Sequence, residues 1–186
     1  MEVLLKVKLI GNKICIRDLR FSDLDDYYEY GKDPSVGPFA GWKPFPSKDI
    51  ASRVLHGQIM SKETYAIAIK ETDMLIGSIS LYHTALRKYN RAMSLGFSLS
   101  SAYWNQGIMT EAVRLMIQYA FEHTDCLVLE VGHHRDNYRC KRVAEKCGFN
   151  YDGTLCSYKK LYDGSIVDAC FYSMTKEEYE RMKKYE

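Results

Sequence analysis

Between residues 92 and 100 the chain alternates large and small side chains. Met93, Leu95, Phe97 and Leu99 interleave with Ala92, Ser94, Gly96, Ser98 and Ser100. Successive side chains of a strand point to opposite faces, so this segment is a strand with one large apolar face and one uniformly small face. The large face needs a core. The small face admits a close neighbour, either a packed helix or a ligand lying against the backbone.

The residues after this strand narrow the possibilities. The segment Ser101-Ala102-Tyr103-Trp104-Asn105-Gln106-Gly107 is a short loop, and an apolar helical stripe (Met109, Val113, Met116, Ile117, Ala120, Phe121) predicts a helix over 107–122. The first N–H groups of a helix lack internal partners and carry partial positive charge, which suits phosphate. Gly107 removes a side chain that would hold such a ligand away. The loop has no Gly-Lys-Ser/Thr, so this is not a nucleotide P-loop.

Elsewhere the pattern predicts a strand at 13–17, a helix capped by Ser22, a helix capped by Ser47 and a hairpin of 65–69 with 75–81. A nearly continuous apolar strand at 126–131 reads as central. Asn137 caps a further helix that stops at Gly148. Strands at 151–161 and 166–174 turn at Asp163-Gly164, and a short charged helix closes the chain. This is an α+β (mixed α/β) domain around one sheet, with 1–186 read as a single domain.

Composition excludes several classes. With 46% hydrophobic and 27% charged residues, the chain is neither disordered nor fibrous. The net charge of +2 and the absence of a basic run argue against direct nucleic-acid binding. No stretch is apolar enough to span a membrane. The N-terminal stretch has Glu2 and internal lysines, unlike a secretory signal. Six cysteines without a CxxC pair therefore read as reduced thiols of a cytoplasmic protein. His133, His134, Cys140 and Cys147 lack the paired spacing of a zinc site, so no metal is expected.

Two segments resemble the signatures of the GNAT (GCN5-related N-acetyltransferase) superfamily. YWNQGIMTEAVRLMIQYAFE is similar to its tyrosine-tryptophan-glycine-x-glycine-x-alanine-threonine-glutamate-alanine segment. Downstream, Glu130, Asn137, Arg142, Lys146, Gly148 and Phe149 match the family's second signature. Together with Asp163-Gly164 and Asp168, these residues resemble the RimJ/RimL-type branch that acetylates N-termini of ribosomal proteins. The resemblance implies a mostly antiparallel twisted sheet of about seven strands splayed into a V, with about four to five helices. It implies acetyl-CoA as cosubstrate, its pantetheine arm on the backbone of Phe97, Ser98 and Leu99. The pyrophosphate would lie on Asn105, Gln106, Gly107, Ile108, Met109 and Thr110, with Asn137 facing the arm. Asn105 and Met109 depart from the family's small residues there. A homodimer through the C-terminal strands is compatible with the resemblance.

Acetyl transfer needs a neutral amine and a proton for the departing thiolate. Where many relatives carry a glutamate base this chain has Ser94, and no acid lies between Arg91 and Glu111. Where many carry a tyrosine acid it has Ala144. Cys140 is the candidate proton donor; it also sits on the helix's apolar stripe, where a cysteine acts as a small hydrophobe. Tyr138 is a second donor candidate, and Glu130 a base candidate acting through water. A lysine amine is only about 0.04% neutral at pH 7, an α-amine about 14%. Weak base provision therefore favours a peptide N-terminus or another low-pKa amine. Trp42, Phe45, Tyr82 and His83 are candidates to line the acceptor side. Tyr103 and Trp104 read as packing, His133 and His134 as solvated loop residues, and Arg87-Lys88 with Arg91 as a solvated hairpin tip. The alternatives are a CoA-binding module without catalysis and a metal-dependent enzyme using His133, His134 and Cys140.

Overall fold

A computed structural model describes residues 7–84, 86–89 and 91–184. Residues 1–6, where the stretch read as unlike a leader begins, lie outside the described residues. The strands are β1 (Lys8–Ile10), β2 (Ile14–Asp18), β3 (Thr64–Ile69), β4 (Leu75–His83), β5 (Ala92–Leu99), β6 (Val128–His134), β7 (Asn150–Lys160) and β8 (Ile166–Thr175). The helices are α1 (Leu24–Gly31), α2 (Gly37–Ala40), α3 (Lys48–Ser61), α4 (Ile108–His123), α5 (Tyr138–Lys146) and α6 (Lys176–Lys183). One sheet runs in the order β1-β2-β3-β4-β5-β6-β8-β7. β5 and β6 pair in parallel, whereas β1/β2, β2/β3, β3/β4, β6/β8 and β7/β8 are antiparallel.

The described residues thus hold eight strands and six α-helices, against an expectation of about seven and four to five. The added strand is β1, only three residues long, held by its pairing with β2. α2 is a single turn with Pro38 at its start, where a missing N–H costs nothing. Elements this short carry no periodicity to read.

The chain forms two compact units: Met1–Ser80 with Phe97–Leu115, and Leu81–Gly96 with Met116–Glu186. The first packs Leu19, Tyr27, Tyr30, Val36, Phe45, Ala51, Leu55, Ala66 and Leu75 into one cluster. Its rings meet edge-on (Tyr27 with Tyr30, 5.5 Å) and stacked (Tyr27 with Phe45, 5.6 Å). Arg17, 5% exposed on β2, donates two bonds to the buried Asp23 carboxylate at 2.8 and 2.9 Å and one to Asp73 at 2.6 Å. This forked pairing ties β2 to the turn before α1 and to the β3–β4 turn. The second unit buries Met116, Phe121, Leu129, Val131, Ala144, Phe149 and Met174. Tyr179 of α6 stacks on Phe121 at 5.2 Å.

Removing the Arg17 guanidinium leaves a carboxylate buried without its countercharge. Arg17→Ala is expected to cost about 3–5 kcal/mol. Thermal unfolding should then show Tm lowered by about 10 °C.

Candidate active site

β5 delivers the chain from the second unit into the first, and its last residues open the loop before α4. Ser98 is buried, and its hydroxyl meets Ser78 Oγ at 3.1 Å, which in turn accepts from the Tyr30 hydroxyl at 3.1 Å. A Cβ on Gly77 would stand 2.4 Å from the Ser98 carbonyl, so only glycine lets β4 come this close. Trp104 Nε1 donates to the Leu99 carbonyl at 2.9 Å, which gives Trp104 the packing role expected of it.

The loop then takes two left-handed steps, at Asn105 (φ +60°) and Gly107 (φ +79°). Asparagine adopts this region more readily than other side-chain-bearing residues, so its place in the family's glycine pattern costs little. Met109 is 9% exposed and Ile108 3%, so both side chains turn into the core. Neither departure fills the loop. Asn105, Gln106 and Gly107 are exposed, and nothing lies within 4 Å of a Cβ built on Gly107. The loop leads straight into the 16-residue α4. It is anchored from the β1–β2 turn: Lys13 Nζ donates to the Gln106 carbonyl at 3.3 Å, and Glu111 accepts from the backbone of Asn12 and Lys13. A cradle of exposed backbone ahead of a long helix fits a pyrophosphate.

The second unit holds a polar cluster. The parallel register sets Ser94 of β5 directly beside Glu130 of β6. Glu130 is 2% exposed. It accepts a short hydrogen bond from the Thr84 hydroxyl and forms an ion pair with Arg87, Nε to Oε2 at 3.3 Å. Arg87 Nη2 also donates to Asp152 at 2.7 Å, and Asp152 accepts from the Ser173 hydroxyl at 2.9 Å. Burial raises the Glu130 carboxyl above its ordinary range, opposed by Thr84 and Arg87 and assisted by Asp152. A buried carboxylate thus stands one strand over from Ser94. The signal was available in sequence: a lone acid in the run Leu127-Val128-Leu129-Glu130-Val131 is a buried charge, and buried charges need partners. Thr84, Arg87, Asp152 and Ser173 carry no comparable signal.

Asn137 caps α5 as expected, its Oδ1 accepting from the Cys140 N–H at 3.1 Å. The Cys140 thiol is pushed up by burial to about 12. Tyr138 is exposed.

Several expectations are corrected. His133 is no loop residue: it lies in β6, 6% exposed, stacked on Tyr172 at 5.5 Å, with Nδ1 on the His134 carbonyl at 2.7 Å. Burial holds its pKa down. Arg87 is no solvated tip, being committed to two carboxylates. Phe45 is core. All six cysteines are free thiols, as the sequence predicts. Among the described residues, no three His, Cys, Asp or Glu side chains gather as metal ligands, and no helix is long and apolar enough to cross a membrane.

The fold and these segments define an acetyltransferase. The acetyltransferase (GNAT) domain model matches residues 13–150, and the chain belongs to that family. The uncharacterized N-acetyltransferase p20 of Bacillus licheniformis is 25% identical over 179 residues, covering 92% of this chain and 97% of that protein. A GNAT-family acetyltransferase from Bacillus anthracis has the same fold (TM-score 0.81, 18% identity, 92% of this chain and 100% of that one). So does a ribosomal-protein-S5-alanine acetyltransferase from Vibrio fischeri (TM-score 0.76, 20% identity, 93% and 98%). GNAT acetyltransferases use acetyl-CoA as acyl donor.

A thiol held near 12 is about 0.01% thiolate at pH 8, and the thiolate is the nucleophile. On brief iodoacetamide treatment at pH 8, peptide mass spectrometry should find the exposed Cys156 alkylated and Cys140 unmodified.

Proposed function

We propose that the chain transfers acetyl from acetyl-CoA to a low-pKa primary amine, a peptide N-terminus or a small molecule, with Glu130 receiving the amine's proton. The observation that carries this is the Ser94/Glu130 register pair: a carboxylate stands at the level of the sheet where β5 has only a serine. A buried carboxylate with raised pKa is the stronger base for it. A group of this strength suits an α-amine better than a lysine side chain, whose proton is held about 2.6 units more tightly.

The donor half is assigned to β5 and its loop. The backbone of Phe97, Ser98 and Leu99 is assigned the pantetheine arm. Asn105, Gln106, Gly107, Ile108 and Met109 supply backbone for the pyrophosphate, with Thr110 in the first turn of α4. Asn137 is assigned to face the arm while it caps α5. In the transfer a C–N bond forms, the thioester C–S bond breaks, and the amine proton passes to Glu130. We assign Cys140 to hydrogen-bond the departing thiolate rather than to surrender its proton, because burial makes this thiol a much weaker acid than a free one.

Free-thiol release on a panel of amines and short peptides tests the reaction. Glu130→Gln is expected to lower kcat by about 10²–10⁴ while acetyl-CoA still raises Tm. Full activity in that variant would remove Glu130 from the chemistry. The wild-type kcat/KM should fall on the acid side, because protonation removes the acceptor form. Its limb should lie above the ordinary glutamate value of about 4.3. Gly107→Ala forces a side chain into φ +79° at the cradle. It should raise KM for acetyl-CoA about tenfold and leave KM for the amine nearly unchanged.

A further inference from the structure

The pairing of Arg87 with Glu130 is incomplete. Glu130 is 2% exposed, yet its Oε2 receives no hydrogen bond from any described residue, and Arg87 Nε, 3.3 Å away, finds no hydrogen-bond acceptor among them. Both atoms are buried. A guanidinium that fits two carboxylates donates parallel, aligned bonds. Here only the Nη2 bond to Asp152, 2.7 Å, is made well. The other polar partners are settled: Thr84 donates to Glu130 Oε1 and Ser173 to Asp152 Oδ1. Two carboxylates against one guanidinium leave one surplus negative charge. Arg87 comes from the β4–β5 connection, and an open hollow lined by His83, Thr84, Arg87, Lys88 and Tyr89 adjoins it. Glu130 Oε2 is thus held by the charge of Arg87 at 3.3 Å without an aligned hydrogen bond, and Arg87 itself lines the open hollow.

We propose that Arg87 is a displaceable counter-ion and that the ammonium head of the amine acceptor takes its place on Glu130 and Asp152. An ammonium carries three divergent N–H donors on a compact charge. One reaches Glu130 Oε2 and another Asp152 Oδ2, with no planar fork to align. The inference rests on the reading of Glu130 as proton acceptor and extends it to the substrate's charge. An ammonium N–H bond then breaks and its proton forms an O–H bond on Glu130 Oε2; the nitrogen keeps the electron pair for attack, and the second N–H proton, shed as the C–N bond forms, goes to the departing thiolate sulfur. The site accordingly selects cationic amines and excludes acceptors with a carboxylate beside the amine.

The test titrates the full chain with methylammonium chloride and monitors the Arg87 Nε–H resonance, and in every variant the Glu130 backbone amide, by ¹⁵N NMR. Sodium chloride and tetramethylammonium chloride at equal ionic strength serve as controls. A saturable shift with methylammonium alone is expected. Arg87→Met should tighten methylammonium binding about tenfold by removing the competitor, and Glu130→Gln should weaken it by at least as much. Asp152→Asn should weaken it too, and serves if Arg87→Met does not fold. Equal shifts in all three salts, or unchanged affinity in Arg87→Met, would overturn the proposal. The two readings fail separately. If Glu130→Gln abolishes turnover while methylammonium leaves Arg87 in place, displacement fails and the base role stands. If methylammonium displaces Arg87 while Glu130→Gln turns over normally, the base role fails and the cation site stands.

Discussion

Four residues of parallel pairing between β5 and β6 set the terms for the rest of the molecule. Parallel strands in register carry paired side chains on the same face, so Ser94 and Glu130 lie side by side in a sheet that is otherwise paired antiparallel along its mapped ladders. A serine there leaves space, and a glutamate there must be partnered. Thr84, Arg87, Asp152 and Ser173 supply the partners, drawn from a connection and two further strands. Keeping a carboxylate ionised at such depth costs several kcal/mol unless it is compensated. The cluster is thus a structural requirement in its own right, apart from the proton transfer proposed for it. A carboxylate compensated completely would be a poor base. This one is compensated in part, and a raised pKa is the result.

In the loop before α4, two residues depart from the family pattern without filling the loop. Asn105 keeps the left-handed geometry that a glycine would take, and Met109 turns into the core. The exposed part of the loop is then Asn105, Gln106 and Gly107, just ahead of the helix terminus. Departures that look costly in a string of letters become neutral once each side chain has a direction.

Much of this was legible in sequence, for a physical reason. Long elements with clean periodicity, such as β5 and α4, declare themselves because burial imposes a repeat on them. The turn at Asp163-Gly164, the Asn137 cap and the Gly148 stop arise from local backbone chemistry and lie where local rules put them. Three-residue β1 and one-turn α2 exist only through tertiary pairing, and no local pattern announces them. The Glu130 cluster was the least legible part, since its members lie on four separate segments of chain. His133 misled for the opposite reason: a histidine pair reads as polar loop, yet imidazole stacked on Tyr172 is a respectable core residue.

The chain has two tryptophans, and both pack against the aromatic cluster of the first unit, but with different bonds. Trp42 stands among Tyr30 and Phe45 in the aromatic cluster of the first unit, 6.3–6.4 Å from each ring. Trp104 is bonded through its indole to the carbonyl that ends β5, one residue before the left-handed step at Asn105. Any event that reorganises the backbone at Leu99 or the adjoining loop also changes the polarity felt by that indole. Replacing Trp42 with phenylalanine would leave one emitter, seated at the hinge between strand and loop. The packing that shapes the cradle therefore doubles as an intrinsic optical probe of it, and the arrival of a ligand could be observed from the chain's own light without any attached dye.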